Sequence, residues 1–121
     1  MPHTILLVED EYATLEVLTL LFERAGYQVL TASDGEEGLV RLHERRPDIV
    51  LTDFWMPRLD GGEFCQRMQE DERWRGIPVI MMTAAHGPKT PVFPGVVAVF
   101  AKPLLFDELL STVERVLGEQ A

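Results

Sequence analysis

The stretch that decides the fold is residues 48–61, which read DIVLTDFWMPRLDG. Its first part is a short, almost entirely apolar run, which is typical of a strand covered on both faces in a parallel sheet. The run ends at Asp53, and a segment containing Pro57 follows before a predicted helix begins near Gly61. The pattern therefore predicts a buried strand, an acidic residue at its carboxyl end and a connection into a helix.

Four further runs of the same kind lie along the chain, and amphipathic stretches separate most of them. Strands that alternate with helices predict an α/β fold with right-handed crossovers and a parallel sheet. We therefore expect a doubly wound α/β domain. The five runs cover residues 4–8, 27–31, 48–52, 78–82 and 96–100.

Apolar residues at helical spacing predict helices between the strands. A leucine stripe follows the first strand, and Gly26 stands where the C-terminus of a helix favours glycine. The second helix is predicted to start at a cap formed by Ser33 or Asp34 and to end before Pro47. The last helix is predicted to cover residues 106–117, which carry an apolar stripe.

Length and composition predict one domain of ordinary size, residues 1–121, with no output domain after it. The 121 residues and the 46% hydrophobic content suit a single hydrophobic core. The single cysteine, Cys65, cannot form an internal disulfide, which suits a reducing compartment. No apolar run approaches the roughly 20 residues of a membrane span, and the start lacks a signal-peptide pattern. A cytoplasmic location without membrane contact is therefore expected.

The formal net charge of −9 bears on the class of partner. A nucleic-acid backbone attracts basic surfaces, so this acidity argues against nucleic-acid binding by the domain. Acidic residues can serve solubility alone, or a group of them can bind a cation. Their positions along the chain decide between these two interpretations.

Polar residues lie within two positions of the end of four of the five predicted strands. In a parallel α/β sheet, ligands bind beyond the carboxyl ends of the strands, because these ends meet at one edge. We therefore expect carboxylates, a hydroxyl and an ammonium to lie together in one pocket. The residues are Glu9, Asp10 and Glu11 after the first strand, Asp53 after the third, Thr83 after the fourth and Lys102 after the fifth.

Three neighbouring carboxylates repel one another, so their grouping predicts a compensating cation. Mg²⁺ prefers oxygen ligands in octahedral geometry and retains several waters, so two or three carboxylates and a carbonyl suffice. The candidate side-chain ligands are Glu9, Asp10 and Asp53. Glu11 is expected to face solvent at a helix start, where the helix dipole favours negative charge.

Four motifs, in this order, resemble the receiver domain of two-component response regulators, the CheY-like proteins. The resemblance extends over the whole chain, and each motif lies at a predicted strand end. It implies a flavodoxin-like sheet with the strand order 2-1-3-4-5. The motifs read LLVEDE at residues 6–11, TDFWMPRLDG at 52–61, MMTA at 81–84 and AKPL at 101–104.

The resemblance implies Mg²⁺-dependent phosphorylation of Asp53. The phosphoryl group would come from a histidine kinase or a histidine phosphotransfer protein, and the signal would pass to a downstream protein target. Thr83 would donate a hydrogen bond to the phosphoryl group, and Lys102 would neutralise its charge. No enzymatic activity is expected beyond phosphorylation and dephosphorylation of the chain itself. The metal ligands would be Glu9, Asp10, Asp53 and the backbone carbonyl of Trp55.

The segment between the fourth and fifth strands departs from the family pattern. Residues 86–95 hold three prolines and two glycines where a helix is expected. Proline costs about 3 kcal/mol inside a helix and glycine up to about 1 kcal/mol, so this fourth helix is predicted to be missing or degenerate. The proline spacing also suits a polyproline II ridge that binds a ligand, although a stiff loop is the simpler interpretation.

Output is expected through an atypical face, because in the family the fourth helix forms the output surface with the last strand and the last helix. The position three before Lys102 is commonly an aromatic switch in the family and is Val99 here. Phe100 follows it and, in a strand, points to the opposite face. Transmission through an aromatic switch is therefore not expected.

Two other functions agree with parts of the sequence. A receiver-like interaction module could act without phosphorylation, but the complete acidic set with Thr83 and Lys102 argues against it. An aspartyl phosphohydrolase of the haloacid-dehalogenase kind would carry an Asp-x-Asp pattern after its first strand, which this chain lacks. Three histidines have no ligand-like spacing and receive no role: His3, His43 and His86.

Overall fold

The computed structural model describes residues 2–84 and 93–119, and these residues form five strands and four helices. None of the four described helices is both long and apolar enough to cross a membrane. The strands are β1 (Thr4–Val8), β2 (Gln28–Ala32), β3 (Ile49–Asp53), β4 (Val79–Thr83) and β5 (Val96–Ala101). The helices are α1 (Tyr12–Arg24), α2 (Gly35–Glu44), α3 (Gly61–Gln69) and α4 (Phe106–Glu119).

The five strands form one parallel sheet in the order β2-β1-β3-β4-β5. This confirms the predicted α/β class and the flavodoxin-like strand order. The register brings the carboxyl ends level, since Val8 pairs with Ala32 on one neighbouring strand and with Thr52 on the other. Residues at these ends are therefore placed along one edge of the sheet.

Hydrophobic side chains pack on both faces of the sheet, and β1, β3 and β4 are buried along their whole length. Alternate strand residues point to opposite faces, so each face has its own cluster. On one face α2 and α3 pack their apolar sides, including the fully buried Phe64. On the other face α1 and α4 do so, including Phe22. Full burial of such a side chain contributes about 1.5–3 kcal/mol, so these layers hold the sheet edge firmly.

The helices α2 and α3, which pack on the same face of the sheet, each begin with an aspartate cap. Asp34 accepts a hydrogen bond from the Glu37 amide at 2.8 Å, and Asp60 accepts one from the Glu63 amide at 2.9 Å. The sequence left Ser33 and Asp34 as alternatives for the α2 cap, and the structure selects Asp34. Each such cap stabilises its helix by about 1 kcal/mol.

The outer edge of β2 is contacted by a side chain from α2. The backbone oxygen of Ala32 accepts a hydrogen bond from the Glu9 amide, so this oxygen points toward β1. Because the carbonyl groups of successive strand residues point to opposite sides, the Thr31 oxygen points away from the sheet. The Nε of Arg41 donates a hydrogen bond to this outward oxygen at 3.0 Å. The guanidinium of Arg41 thus occupies an acceptor on the border of the sheet.

Four strands end one residue later than predicted, and the last helix ends two residues later. Asp53 and Thr83 are therefore the last residues of β3 and β4, whereas the sequence placed them just after these strands. The reason is that strand pairing continues past the apolar runs. The Phe54 amide still donates to the Met82 oxygen at 2.8 Å, so the ladder between β3 and β4 includes Asp53.

The predicted loss of a helix between β4 and β5 falls on residues outside the described part, since residues 85–92 are not described. The polyproline II interpretation falls on the same residues. The description resumes at Phe93, and residues 94–95 form a turn that leads into β5.

Gly61 is the position where we expect the fold to tolerate a side chain least. A Cβ there would collide with the backbone oxygen of Asp53 and lie 2.8 Å from the Phe54 Cα. We predict that Gly61→Ala lowers the free energy of unfolding by about 1–3 kcal/mol, as overpacking does. Gly118→Ala is the matched control, because a Cβ there meets nothing within 4 Å and alanine favours a helix. Urea unfolding measures both variants, and equal stabilities would contradict the prediction.

Cys65 is a buried thiol on α3. Burial, and then the charge of Asp60, raises the pKa of this thiol to about 12. Because the thiolate is the reactive form, we predict almost no labelling of the native chain by a disulfide reagent at about pH 8. Labelling should instead follow the rate of unfolding, and complete labelling in urea is the control. Rapid labelling of the native chain would show that the side chain is accessible.

Candidate functional site

The carboxyl edge of the sheet brings together the acidic residues predicted for the site. Glu9 and Asp10 directly follow β1, and Asp53 ends the neighbouring strand β3. One carboxylate oxygen from each lies within 4.8 Å of the others. Glu9 and Asp53 are buried, whereas Asp10 is exposed. These three residues form an acidic cluster whose exposed member is Asp10.

One ammonium group joins the two buried acids of the acidic cluster. The Nζ of Lys102 donates to Glu9 at 2.8 Å and to Asp53 at 3.1 Å. Lys102 directly follows β5, and its backbone amide donates to the Thr83 oxygen at 2.8 Å. Pairing of β5 with β4 thus brings the lysine to the edge where β1 and β3 end.

Burial and charge oppose one another in the acidic cluster. Burial, followed by the contact with Asp53, raises the pKa of Glu9 to about 7, although Lys102 acts to lower it. Partial burial acts to lower the pKa of Lys102, but its contacts with Glu9 and Asp53 outweigh this and the net shift is upward. Three carboxylates face one ammonium, so a further cation would relieve their repulsion.

Two buried oxygen atoms at this edge have no hydrogen-bond partner among residues 2–84 and 93–119. They are Glu9 Oε2 and Thr83 Oγ1. A buried polar atom without a partner costs about 1–3 kcal/mol, so such atoms indicate a place for a ligand. Every side-chain ligand in the acidic cluster is an oxygen, which hard divalent cations prefer. The residues present therefore fit a metal ion, and the acidic cluster could hold one.

The two remaining predicted site residues lie at the ends of β4 and β3. Thr83 is the last residue of β4 and is buried. Trp55 lies in the loop after β3, and its half-exposed ring contacts Phe54 edge-on at 4.6 Å between centroids. A phosphoryl contact of the Thr83 hydroxyl and a metal contact of the Trp55 carbonyl stay predictions.

The expected solvent exposure of Glu11 and the expected placement of Val99 and Phe100 on opposite faces of β5 are both confirmed. Glu11 is exposed before α1 and accepts a hydrogen bond from the Thr14 hydroxyl at 2.7 Å. Val99 is exposed on β5, whereas Phe100 is partly buried and packs on the core at the other face. The position of the family's aromatic switch therefore presents an aliphatic side chain to the outside.

The structure also contains an ion pair near the site that sequence reasoning missed. Arg58, in the loop after β3, pairs with Asp34, the cap of α2. The sequence indicated Asp34 as a possible helix cap only, and it gave Arg58 no role. The two residues lie 24 positions apart, and no spacing pattern links them. Only the approach of two loops in the folded chain reveals the pair.

Comparisons with known proteins agree on one family. The family model described as the response regulator receiver domain matches residues 5–114. The polar-differentiation response regulator DivK of Brucella anthropi is 30% identical, and the match covers 98% of this chain and 99% of DivK. A solved structure of a putative response regulator from Chloroflexus aurantiacus has a TM-score of 0.91 at 31% identity, covering 98% of this chain and 99% of that one.

A longer relative matches over the same domain. The alkaline phosphatase synthesis transcriptional regulatory protein PhoP of Bacillus subtilis is 39% identical over 69% of this chain and 34% of its own length. The chain therefore spans about a third of the length of transcriptional regulators of this kind.

Neutralisation of Asp53 should remove most of the increase in unfolding temperature that Mg²⁺ is expected to cause. We predict that Mg²⁺ raises the unfolding temperature of the wild type, because a ligand of the folded state stabilises it. Asp53→Asn should lose most of this increase. Asp60→Asn is the matched control, since it removes the same charge outside the acidic cluster while asparagine can still cap α3. Thermal unfolding at constant ionic strength measures both, and equal responses would contradict a metal site at the acidic cluster.

Proposed function

Because the chain belongs to the response regulator receiver domain family of two-component systems, we propose that it is a phosphorylation switch with Asp53 as its phosphoacceptor. Phosphorylation of an aspartate is the general function of this family. The observation that carries the assignment is the contact of the Lys102 ammonium with the Asp53 carboxylate, at 3.1 Å, inside the acidic cluster. An acceptor carboxylate and a positive charge for phosphoryl oxygens are thus already together.

Mg²⁺ is the cation that we propose for the acidic cluster. Bound there, it supplies positive charge beside the reacting carboxylate and the incoming phosphoryl oxygens. Support comes from the oxygen-only ligand set and from the unpaired Oε2 of the buried Glu9. The proposed ligands are Glu9, Asp10, Asp53 and the backbone carbonyl of Trp55.

The proposed reaction moves a phosphoryl group from a phosphohistidine to Asp53. A carboxylate oxygen of Asp53 attacks phosphorus in line, so that an O–P bond forms while the P–N bond to the donor histidine breaks. The leaving imidazole keeps the electron pair of the broken bond. Lys102 neutralises charge on the equatorial oxygens, and the unpaired hydroxyl of Thr83 donates a hydrogen bond to one of them.

The proposed partners follow from this chemistry. The donor is a histidine kinase or a histidine phosphotransfer protein, and the receiver of the signal is a further protein. The chain performs no other catalysis than phosphorylation and dephosphorylation of its own aspartate. We place the switch in the cytoplasm, where a buried, unpaired Cys65 suits the reducing conditions.

Phosphorylation would change both charge and hydrogen bonding at the sheet edge. The phosphoryl group adds about −1.5 to −2 charges at neutral pH, so Lys102 gains a stronger acceptor than it has now. Movement of Thr83 toward the new oxygens would shift the end of β4 and bias a two-state surface. The signal would leave through protein contacts on a face that includes β5, where Val97 and Val99 are exposed.

The alternative of a phosphorylation-independent interaction module is not favoured. Such a module has no need for an acceptor carboxylate, an acidic cluster and a site lysine together. The chain retains all three in contact distance. The family match and the intact site therefore support the switch.

Phosphorylation by acetyl phosphate in Mg²⁺ tests the acceptor directly. We predict that intact-mass analysis finds one added phosphoryl group on the wild type and on Asp60→Asn, and none on Asp53→Asn. Lys102→Ala should react about 10²–10³-fold more slowly, as when one charge-stabilising donor is lost. Lys102→Arg, which keeps the positive charge, is the matched control.

Two outcomes would contradict the proposal. One is phosphorylation of Asp53→Asn at the rate of the wild type, because the acceptor would then be another residue. The other is an unchanged rate in excess EDTA, because the reaction would then not depend on a divalent cation. Circular dichroism of each variant establishes that the fold is retained.

A further inference from the structure

The loop between β3 and α3, residues 54–60, is closed at its base by backbone hydrogen bonds. The Phe54 amide donates to the Met82 oxygen at 2.8 Å, and the Gly61 amide donates to the Phe54 oxygen at 2.8 Å. Both ends of the loop are therefore tied to the sheet beside Asp53. Trp55 is the first residue beyond this base.

The far part of the same loop is held by the ion pair between Arg58 and Asp34. Arg58 has a φ of 67°, in the left-handed region that few residues other than glycine adopt. That conformation costs about 1–2 kcal/mol for an L-residue, so the surrounding contacts must stabilise it. The Asp34 side chain is only 2% exposed, whereas that of Arg58 is 64% exposed. The buried carboxylate of Asp34 thus forms an ion pair with the exposed guanidinium of Arg58.

Asp34 is itself a fixed anchor. Its Oδ1 accepts the hydrogen bond from the Glu37 amide at 2.8 Å, while its Oδ2 accepts from Arg58. The two loops also touch directly, because a Cβ at Gly35 would lie 2.5 Å from the Leu59 oxygen. Loop 54–60 is therefore held by α2 at its far part and by β4 at its base.

We propose that Asp34 and Arg58 are a positioning pair for the cation site, acting through the loop that carries Trp55. This inference rests on the proposed function, in which the Trp55 carbonyl is a metal ligand. Trp55 lies between the closed base at Phe54 and the anchored part at Arg58, so both attachments restrict its backbone. Neither Asp34 nor Arg58 belongs to the acidic cluster, so the pair would act on metal affinity through the position of the loop backbone.

The charge of the pair matters because Asp34 is buried. Among the described residues, Arg58 is the one cation that the structure pairs with Asp34. A buried carboxylate that loses its ionic partner keeps its desolvation cost, so the loop would rearrange to rehydrate it. Rearrangement at Arg58 moves a segment only three residues from Trp55. The same loss on an exposed pair would have little effect.

Three single variants separate charge pairing from other roles. Asp34→Asn can still cap α2 but removes the ionic partner. Arg58→Gly suits the left-handed backbone but removes the guanidinium. Arg58→Lys keeps the positive charge and is the conservative control, because the contact uses one nitrogen of the guanidinium. The double variant Asp34→Asn/Arg58→Gly completes a cycle.

The measurement is the dissociation constant of Mg²⁺ at constant ionic strength, from calorimetric titration of the unphosphorylated chain. We expect Asp34→Asn and Arg58→Gly to weaken binding about 3–10-fold, which is below the 10–100-fold effect of groups that touch metal ligands directly. Arg58→Lys should stay within about 2-fold of the wild type. The double variant should be no weaker than the weaker single variant, because both substitutions break one contact.

Several outcomes would overturn the inference. Unchanged Mg²⁺ affinity in Asp34→Asn and Arg58→Gly, with wild-type affinity measurable, defeats the positioning pair and leaves the proposed function intact. Additive losses in the double variant also defeat it, because the residues would then act separately. Absence of Mg²⁺ binding by the wild type defeats the proposed function together with the inference. Urea unfolding without metal shows whether a loss of affinity is merely a loss of folded protein.

Discussion

The arrangement of the carboxyl edge depends on one ammonium group, that of Lys102, which contacts the two buried carboxylates of Glu9 and Asp53. The lysine lies 93 and 49 positions from these acids in sequence. Two such acids side by side are unfavourable in a buried site unless positive charge compensates them. Lys102 provides that charge. The strand order places the ends of β1 and β3 side by side, and the end of β5 lies close enough for the Lys102 ammonium to contact both acids. The remaining excess of negative charge is what prepares the edge for a cation.

Local patterns predicted most of the fold, and their failures have a physical reason. The apolar runs located all five strands within one residue, because strands covered on both faces leave few polar positions inside them. The ends of β3 and β4 were predicted one residue too early, because Asp53 and Thr83 are polar although both still pair in the sheet. Polarity marks where apolar burial ends, whereas a strand ends where its hydrogen bonds end. Strand order was beyond such patterns and came from the resemblance to receiver domains.

The site was predictable as far as strand ends define it. Glu9, Asp53 and Lys102 lie at such ends, and the convergence of parallel strands sufficed to group them. The ion pair of Arg58 with Asp34 was not predictable, because it depends on how closely two loops approach. That approach requires a glycine at residue 35, which no charge or spacing pattern marks as a contact point. Loop-to-loop contacts therefore remain the part of a receiver site that a single sequence conceals.

At the border formed by β2, the guanidinium of Arg41 already occupies the outward oxygen of Thr31. A bare border strand is a template on which an extended segment of another molecule can align and continue the sheet. A strand from another molecule that paired with β2 would have to displace the Arg41 side chain from the Thr31 oxygen. Its own amide groups would then lie beside the positive charge of Arg41. Pairing of a strand from another molecule with this side of the sheet, and aggregation through such pairing, is thereby disfavoured.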